Sequence, residues 1–277
     1  MTRLADPAAA SSHPQRAQGS VALSLVRRGE RNALAGLRQA GALKVLFPRP
    51  AGSGVEAVLI NTAGGITGAD AFSLDARAGT ATRLTLTTQA AERAYRALPR
   101  EVARVENRLS ADAGARLCWL PQETILYDGS ALSRRLRIDL AEGASLLMAE
   151  PLVFGRTAMG ETLADATFRD RIEIRRNGRL AYLDAITLSG RVSEKLARPF
   201  TAAGAGAMAS LVYVAPDAEA ALAAVRSLLG DTAGASLRES DMLVLRLLAA
   251  DGYLLRQTLI PVLNCLAGEP LPRCWTI

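Results

Sequence analysis

Hydrophobic and polar residues alternate with period two along most of this chain. Val21, Leu23 and Leu25 alternate with small or polar residues. Phe72, Leu74 and Ala76 alternate with Ser73, Asp75 and Arg77, and Leu84 and Leu86 with Thr85 and Thr87. Leu136, Ile138 and Leu140 alternate with Arg137 and Asp139, and Ile172 and Ile174 with Arg171, Glu173 and Arg175. A strand points successive side chains to opposite faces, so each stretch predicts a half-buried β-strand. Val102, Val105 and Leu109 mark another strand, and the apolar runs at 44–47 and 55–60 are fenced by Pro and Gly. Asn177-Gly178 lies between two such strands. Both residues tolerate the left-handed backbone of a tight two-residue turn, so a hairpin is predicted there.

Three segments share a finer pattern: 82–88 (TRLTLTT), 113–120 (AGARLCWL) and 143–150 (GASLLMAE). Each pairs a small-residue entry (Gly or Ala) with an apolar strand and then a polar or Pro exit. They recur about every thirty residues, a spacing typical of stacked repeats. No regular alternation of strand and long helix is present, which argues against a doubly wound sheet. The expected fold is mainly β: stacked β-sheets with solenoid-like layering plus two C-terminal α-helices. The first helix follows Pro216 and Asp217 through an Ala- and Leu-rich run that Gly230 stops. Residues 242–248 read as a buried strand, and Asp251-Gly252 as a turn. Residues 253–266 read as the second helix, with Pro261 at a kink or in its first turn. Residues 1–20 carry Pro7, Pro14 and an alanine run and read as a disordered tail. Residues 21–277 then form a single domain, mostly β to about residue 214.

Composition narrows the chemistry. The 277 residues carry 33 Lys or Arg and 27 Asp or Glu, for a net charge of +6. The basic residues are interspersed with acids, and aromatics make up 4% of the chain. A nucleic-acid binder more often clusters basic residues beside stacking aromatics, so no nucleic-acid role is expected. An acidic protein surface is an equally good partner for the arginines. No apolar run is long and charge-free enough to span a bilayer, so no membrane role is expected. Cys118, Cys265 and Cys274 are scattered and form neither a disulfide framework nor a CxxC site. With no signal peptide, a cytoplasmic location is expected. The one histidine, His13, lies in the tail. That excludes Ser-His-Asp and Cys-His chemistry and the usual closed zinc sites.

Two stretches remain as candidate chemistry. Gly64-Gly65-Ile66-Thr67-Gly68 invites a phosphate-loop reading, but the GK[ST] ending and the following helix are missing. A structural turn or a partner contact fits better. Asp70, Glu92, Glu123, Asp128, Glu150, Glu161 and Asp184 sit near strand ends beside Gly or Pro turns. Stacked sheets can bring such ends together. Converging carboxylates hold a divalent ion more loosely than imidazoles or thiolates hold a late first-row metal. The same acids could instead pair with the abundant arginines, or two of them could serve as a general acid/base pair.

Five segments in order resemble the urease accessory family UreD, also called UreH. They are 59–70 (LINTAGGITGAD), 83–96 (RLTLTTQAAERAYR), 119–130 (WLPQETILYDGS), 147–161 (LMAEPLVFGRTAMGE) and 169–185 (RDRIEIRRNGRLAYLDA). Pro272-Arg273-Cys274-Trp275 adds a looser C-terminal match. Ala69 departs from the pattern, where a second glycine beside Gly68 is usual. The resemblance implies a non-enzymatic urease maturation chaperone. It also implies a link from the urease apoprotein to a UreF-type protein and, through that protein, to a UreG-type GTPase, with nickel passing through. No cofactor is then tightly bound, and nickel is transient. Asp70, Glu92, Glu123, Asp128, Glu150 and Glu161 fall inside the matching segments and are the candidate route residues. The apolar face made by Leu254, Leu255, Leu259, Val262, Leu263 and Leu266 is the candidate UreF-type contact; an ordinary packed helix would show the same face. Two alternatives stand beside this reading: a stand-alone carboxylate-based hydrolase, and a structural adaptor without metal passage.

Overall fold

The structure is a computed structural model that describes residues 16–49, 52–156 and 159–276. Strands β1 (Gln18–Arg28) and β2 (Arg31–Gly41) form one hairpin; β3 (Leu43–Leu46) and β4 (Val55–Asn61) pair antiparallel. The chain then coils. β5 (Ala71–Ala78), β6 (Arg83–Thr88) and the short β7 (Glu92–Ala94) make one turn of the coil. β8 (Ala103–Ala111), β9 (Arg116–Leu120) and β10 (Thr124–Leu126) make the next, and β11 (Ala131–Leu140) and β12 (Ser145–Phe154) the third. The hairpin β13 (Ala166–Arg176) and β14 (Arg179–Gly190) follows. After it come helix α1 (Val192–Leu196), β15 (Ala207–Val214), α2 (Ala218–Ser227), β16 (Ala233–Glu239), β17 (Met242–Ala249) and α3 (Gly252–Ala267).

The first strand of each coil enters a seven-stranded sheet ordered β14-β13-β11-β8-β5-β1-β2. The second enters a ten-stranded sheet whose main path is β16-β17-β15-β12-β9-β6-β4-β3, with β7 and β10 alongside. The three repeated segments are therefore β6, β9 and β12, stacked in parallel with Leu84, Leu117 and Leu146 in register. This is the solenoid-like layering expected from the repeats. Equivalent turns precede them: Thr82 N–H donates to Gly79 O, Ala115 to Asp112 O and Ala144 to Ala141 O. The left-handed residue of these turns is Gly114 or Gly143 in the later coils but Ala81 in the first, at φ 55°.

Three layers result. One apolar core lies between the sheets, built from inward residues such as Leu74, Leu109, Leu136 and Ile138 facing Leu84, Leu86 and Leu117. A second lies between the other face of the ten-stranded sheet and the helices, where Leu211, Leu245, Leu255, Leu259, Leu263 and Trp275 meet. All eight residues of β15 are buried because β15 is sandwiched by both cores.

Several expectations shift. β1 begins at Gln18, so the expected tail overlaps a strand at 18–20; residues 1–15, with His13, lie outside the described residues. In β8 the inward series is Ala103, Val105, Asn107 and Leu109, while Val102 is exposed. Asp217 precedes α2 but makes no side-chain cap; its carboxylate accepts the Tyr213 hydroxyl at 2.7 Å instead. Where a turn was expected at Asp251-Gly252, Asp251 caps α3 by accepting Leu254 N–H at 2.8 Å, and Gly268 at φ 65° ends the helix. Pro261 lies inside α3 rather than in its first turn. The short α1 was not anticipated. Asn177 (φ 49°) and Gly178 (φ 78°) form the expected turn of the β13–β14 hairpin. Among the described residues, no helix is long and apolar enough to cross a membrane.

Candidate functional site

A cavity of about 230 Å³ runs from the surface into the space between the two sheets. Exposed Gly64, Gln89, Ala90 and Arg93 line its outer part; buried Trp119, Leu132, Arg134 and Glu150 line its inner part. Among the described residues, its only acidic lining residues are Glu92 and Glu150, both expected from the sequence, and the lining holds no Cys or His.

The outer part rests on the glycine-dense turn. Asn61 Oδ1 accepts Ala63 N–H at 3.0 Å, and Asn61 Nδ2 donates to Gly65 O at 2.9 Å and to both Glu92 oxygens at 3.2 Å. The turn's amides point inward: Gly64 N–H donates to Asn61 O, Ile66 N–H to Arg93 O and Thr67 N–H to Asp70 Oδ2. They are spent on the protein itself, so the turn is not a phosphate cradle. Burial pushes the Glu92 carboxyl above the ordinary range, against the opposing pull of Asn61 and the Arg93 amide.

The inner part is a buried charge triad. Arg134 Nε and Nη2 donate to Asp170 Oδ1 (3.0 Å) and Oδ2 (2.6 Å), and Nη1 donates to Thr124 Oγ1 (3.1 Å). Trp119 Nε1 donates to Glu150 Oε1 at 2.7 Å. Glu150 Oε2 lies 2.6 Å from Arg134 Nη1 but off the N–H direction, so it has the charge attraction without a hydrogen bond. Two carboxylates thus share one guanidinium, and all three side chains are buried. Burial raises the Glu150 carboxyl and Asp170 adds to the rise, while Arg134 and Trp119 oppose it.

The other four candidates lie outside this cavity lining. Asp70 is buried, and its carboxylate accepts Ala17 N–H at 2.7 Å and Thr67 N–H at 2.8 Å. Glu123 accepts Arg256 Nη1 at 2.8 Å. Asp128 accepts Arg96 Nη2 at 2.6 Å and Asp165 N–H at 2.8 Å. Glu161 accepts the Arg156 amide and guanidinium, which hold its carboxyl below the ordinary range. Asp184 pairs with Arg246 at 2.5 Å. Among the described residues, no group of three or more His, Cys, Asp or Glu is placed to hold a metal ion together.

The sequence reading missed Arg134 and Asp170. The signal was present: extending the Leu136, Ile138, Leu140 alternation back by one step puts Arg134 inward, and Asp170 falls between inward Phe168 and Ile172. The α3 face also reads differently. Leu255, Leu259, Val262, Leu263 and Leu266 are buried in the second core, and only Leu254 of that set is exposed. Beta strands β12, β15 and β17 already cover the proposed UreF-type contact face.

A family model described as UreD urease accessory protein matches residues 17–276. A urease accessory protein UreD of Ruegeria pomeroyi is 58% identical over 249 residues, covering 90% of this chain and 97% of its own. One from Roseobacter denitrificans is 52% identical, covering 95% of this chain and 96% of its own. One from Rhizobium etli is 45% identical, covering 97% and 98%.

Proposed function

The chain belongs to the UreD family of urease accessory proteins, and from that premise we propose that it is a scaffold and nickel conduit in urease maturation. In this reading it links a UreF-type protein, and through it a UreG-type GTPase, to the urease apoprotein. Nickel is the cargo and passes without being retained. The observation that carries the reading is the cavity between the sheets, whose two acids are Glu92 toward the surface and Glu150 deep inside. Carboxylates and carbonyls without imidazole or thiolate suit an ion that must be released again. Protons compete for both raised carboxyls, so the route should carry more nickel as pH rises through their titration.

The route narrows to Glu92 and Glu150. Asp70, Glu123, Asp128 and Glu161 serve the reading as supports that hold the turn, α3 and the loops in place. Glu92→Gln and Glu150→Gln are expected to leave complex formation intact while urease co-produced with the variant accumulates with little nickel. Full nickel loading with both variants refutes passage by this cavity and leaves the adaptor alternative.

The same geometry bears on the hydrolase alternative, which expects a deep pocket with two facing carboxylates, at least one of them with a raised pKa. Glu150 has Trp119 on one oxygen and Arg134 beside the other, so a proton or an ion must compete with both for it. Membership in an accessory family favours delivery. Hydrolysis of simple ester or amide substrates that disappears in Glu92→Gln would revive the alternative.

A further inference from the structure

The outer face of the seven-stranded sheet holds a grid of arginines that the nickel route does not use. One cross-strand row runs Arg104, Ser133, Arg169 over β8, β11 and β13; the next runs Glu106, Arg135, Arg171. The third runs Asp75, Arg108, Arg137, Glu173, and the fourth Arg77, Ser110, Asp139, Arg175. Eight arginines face these four acids and Asp112, which pairs with Arg77 at 2.8 Å, a local excess of three positive charges in a chain whose total is +6. Neighbouring strands lie about 4.8 Å apart and same-face residues about 6.7 Å apart, so the grid covers roughly 15 by 20 Å.

The acids neutralise it only in part: Arg108 pairs with Asp75 and Glu106, and Arg137 with Asp139. Glu173 is 3% exposed beneath Arg135, Arg171 and Arg175, at 3.0, 2.5 and 3.6 Å. One buried carboxylate therefore holds three guanidiniums upright, and two of them, Arg135 and Arg171, remain about half exposed. Arg104 and Arg169 are exposed and stand in no salt bridge among the described residues. Parallel ladders in globular domains are ordinarily covered on both faces, and this one is bare on its arginine side. Its outward positions include no aromatic residue on which a base could stack.

We propose that this face docks an acidic segment of a partner protein, with carboxylates placed against the arginine rows. Guanidiniums fixed by a buried acid lose little freedom when a carboxylate pairs with them, and their fork matches it in two bonds. The surface lies on the opposite side of the sheet from the cavity, so the proposal stands or falls apart from the nickel route.

The test uses the purified full chain, a fluorescent 20-residue polyglutamate and a fluorescent 20-nucleotide oligothymidylate, read by anisotropy over a salt series. Polyglutamate is expected to bind, and more weakly as salt rises. Arg104→Glu with Arg169→Glu should weaken it by about tenfold or more. Arg198→Glu with Arg273→Glu, two exposed positions off this sheet, should change it less than about twofold. Arg104→Gln with Arg169→Gln repeats the test without charge reversal, and circular dichroism checks folding of each variant. The proposal is overturned by no polyglutamate binding, by equal losses in the two arginine pairs, or by tighter oligothymidylate binding that the sheet pair abolishes.

Discussion

Removing Arg134 should cost far more stability than neutralising Glu150, although both belong to one buried triad. Arg134→Met leaves Asp170 and Glu150 buried together with no cation between them. Breaking a buried ion pair by deleting one partner costs about 3–5 kcal/mol, since an uncompensated charge stays out of water. Glu150→Gln differs in kind. Arg134 keeps both bonds to Asp170 and its bond to Thr124, and the Gln oxygen still accepts from Trp119. The amide nitrogen replaces Oε2 and must turn off Arg134 Nη1, so the cost is one lost charge attraction, about 1–2 kcal/mol and still below that of Arg134→Met. For a domain of this size, 3–5 kcal/mol lowers Tm by about 10 °C.

The pH dependence follows from the Glu150 carboxyl, which is raised by burial in the folded chain. A raised acid favours the folded state while it is protonated. That contribution is fully present below the unfolded pKa, about 4.3, and is lost as pH rises through the folded value. Without Arg134 the rise grows. The penalty of Arg134→Met should therefore be largest near neutral pH and shrink toward pH 5, and Glu150→Gln should flatten the profile. Urea unfolding followed by tryptophan fluorescence suits the assay, because Trp119 touches Glu150 and the chain has two tryptophans. Arg134→Met within 1 kcal/mol of the parent, or Glu150→Gln as costly as Arg134→Met, would refute the argument.

Two further outcomes concern the turns. Asp70→Ala strips the acceptor from Ala17 N–H and Thr67 N–H and should cost about 2–6 kcal/mol, at about 1–3 kcal/mol per donor left unpaired; nickel loading of urease per folded molecule should stay normal. Unchanged stability with lost loading would instead make Asp70 a route residue. Ala81→Gly should stabilise the fold by about 0.5–1 kcal/mol, because alanine pays for a left-handed backbone that glycine adopts freely. Gly114→Ala and Gly143→Ala should cost a similar amount, since no atom crowds the added methyl within 3.4 Å, and a lower Tm for Ala81→Gly would count against this account of the turn.

What could be read from the chain depended on whether each element had one wet face. β6, β9 and β12 declared themselves through a shared entry and exit, and α3 as the apolar stretch that follows the Asp251-Gly252 turn. β15 is buried on both faces and β2 is largely exposed along its length, so neither shows a clean alternation. For the site, Glu92 and Glu150 were visible as acids at strand ends, but their company was not. Asn61 reaches Glu92 across 31 residues, Trp119 reaches Glu150 across 31, and Arg134 reaches Asp170 across 36. Those partners meet only because coils of about that length stack in register. The α3 face misled because an apolar stripe looks the same whether a second core or another protein covers it.

Arg256 gives α3 a consequence beyond packing. From the helix it donates to Gln122 Oε1 and Glu123 Oε1, and it also donates to the backbone oxygen of Trp275. The backbone oxygen of Glu123 in turn accepts Glu92 N–H at 2.8 Å. The helix layer and the acid in the outer part of the cavity are thus joined through a single residue. A protein that pulled or tilted α3 would act on the strand carrying Glu92 through this linkage.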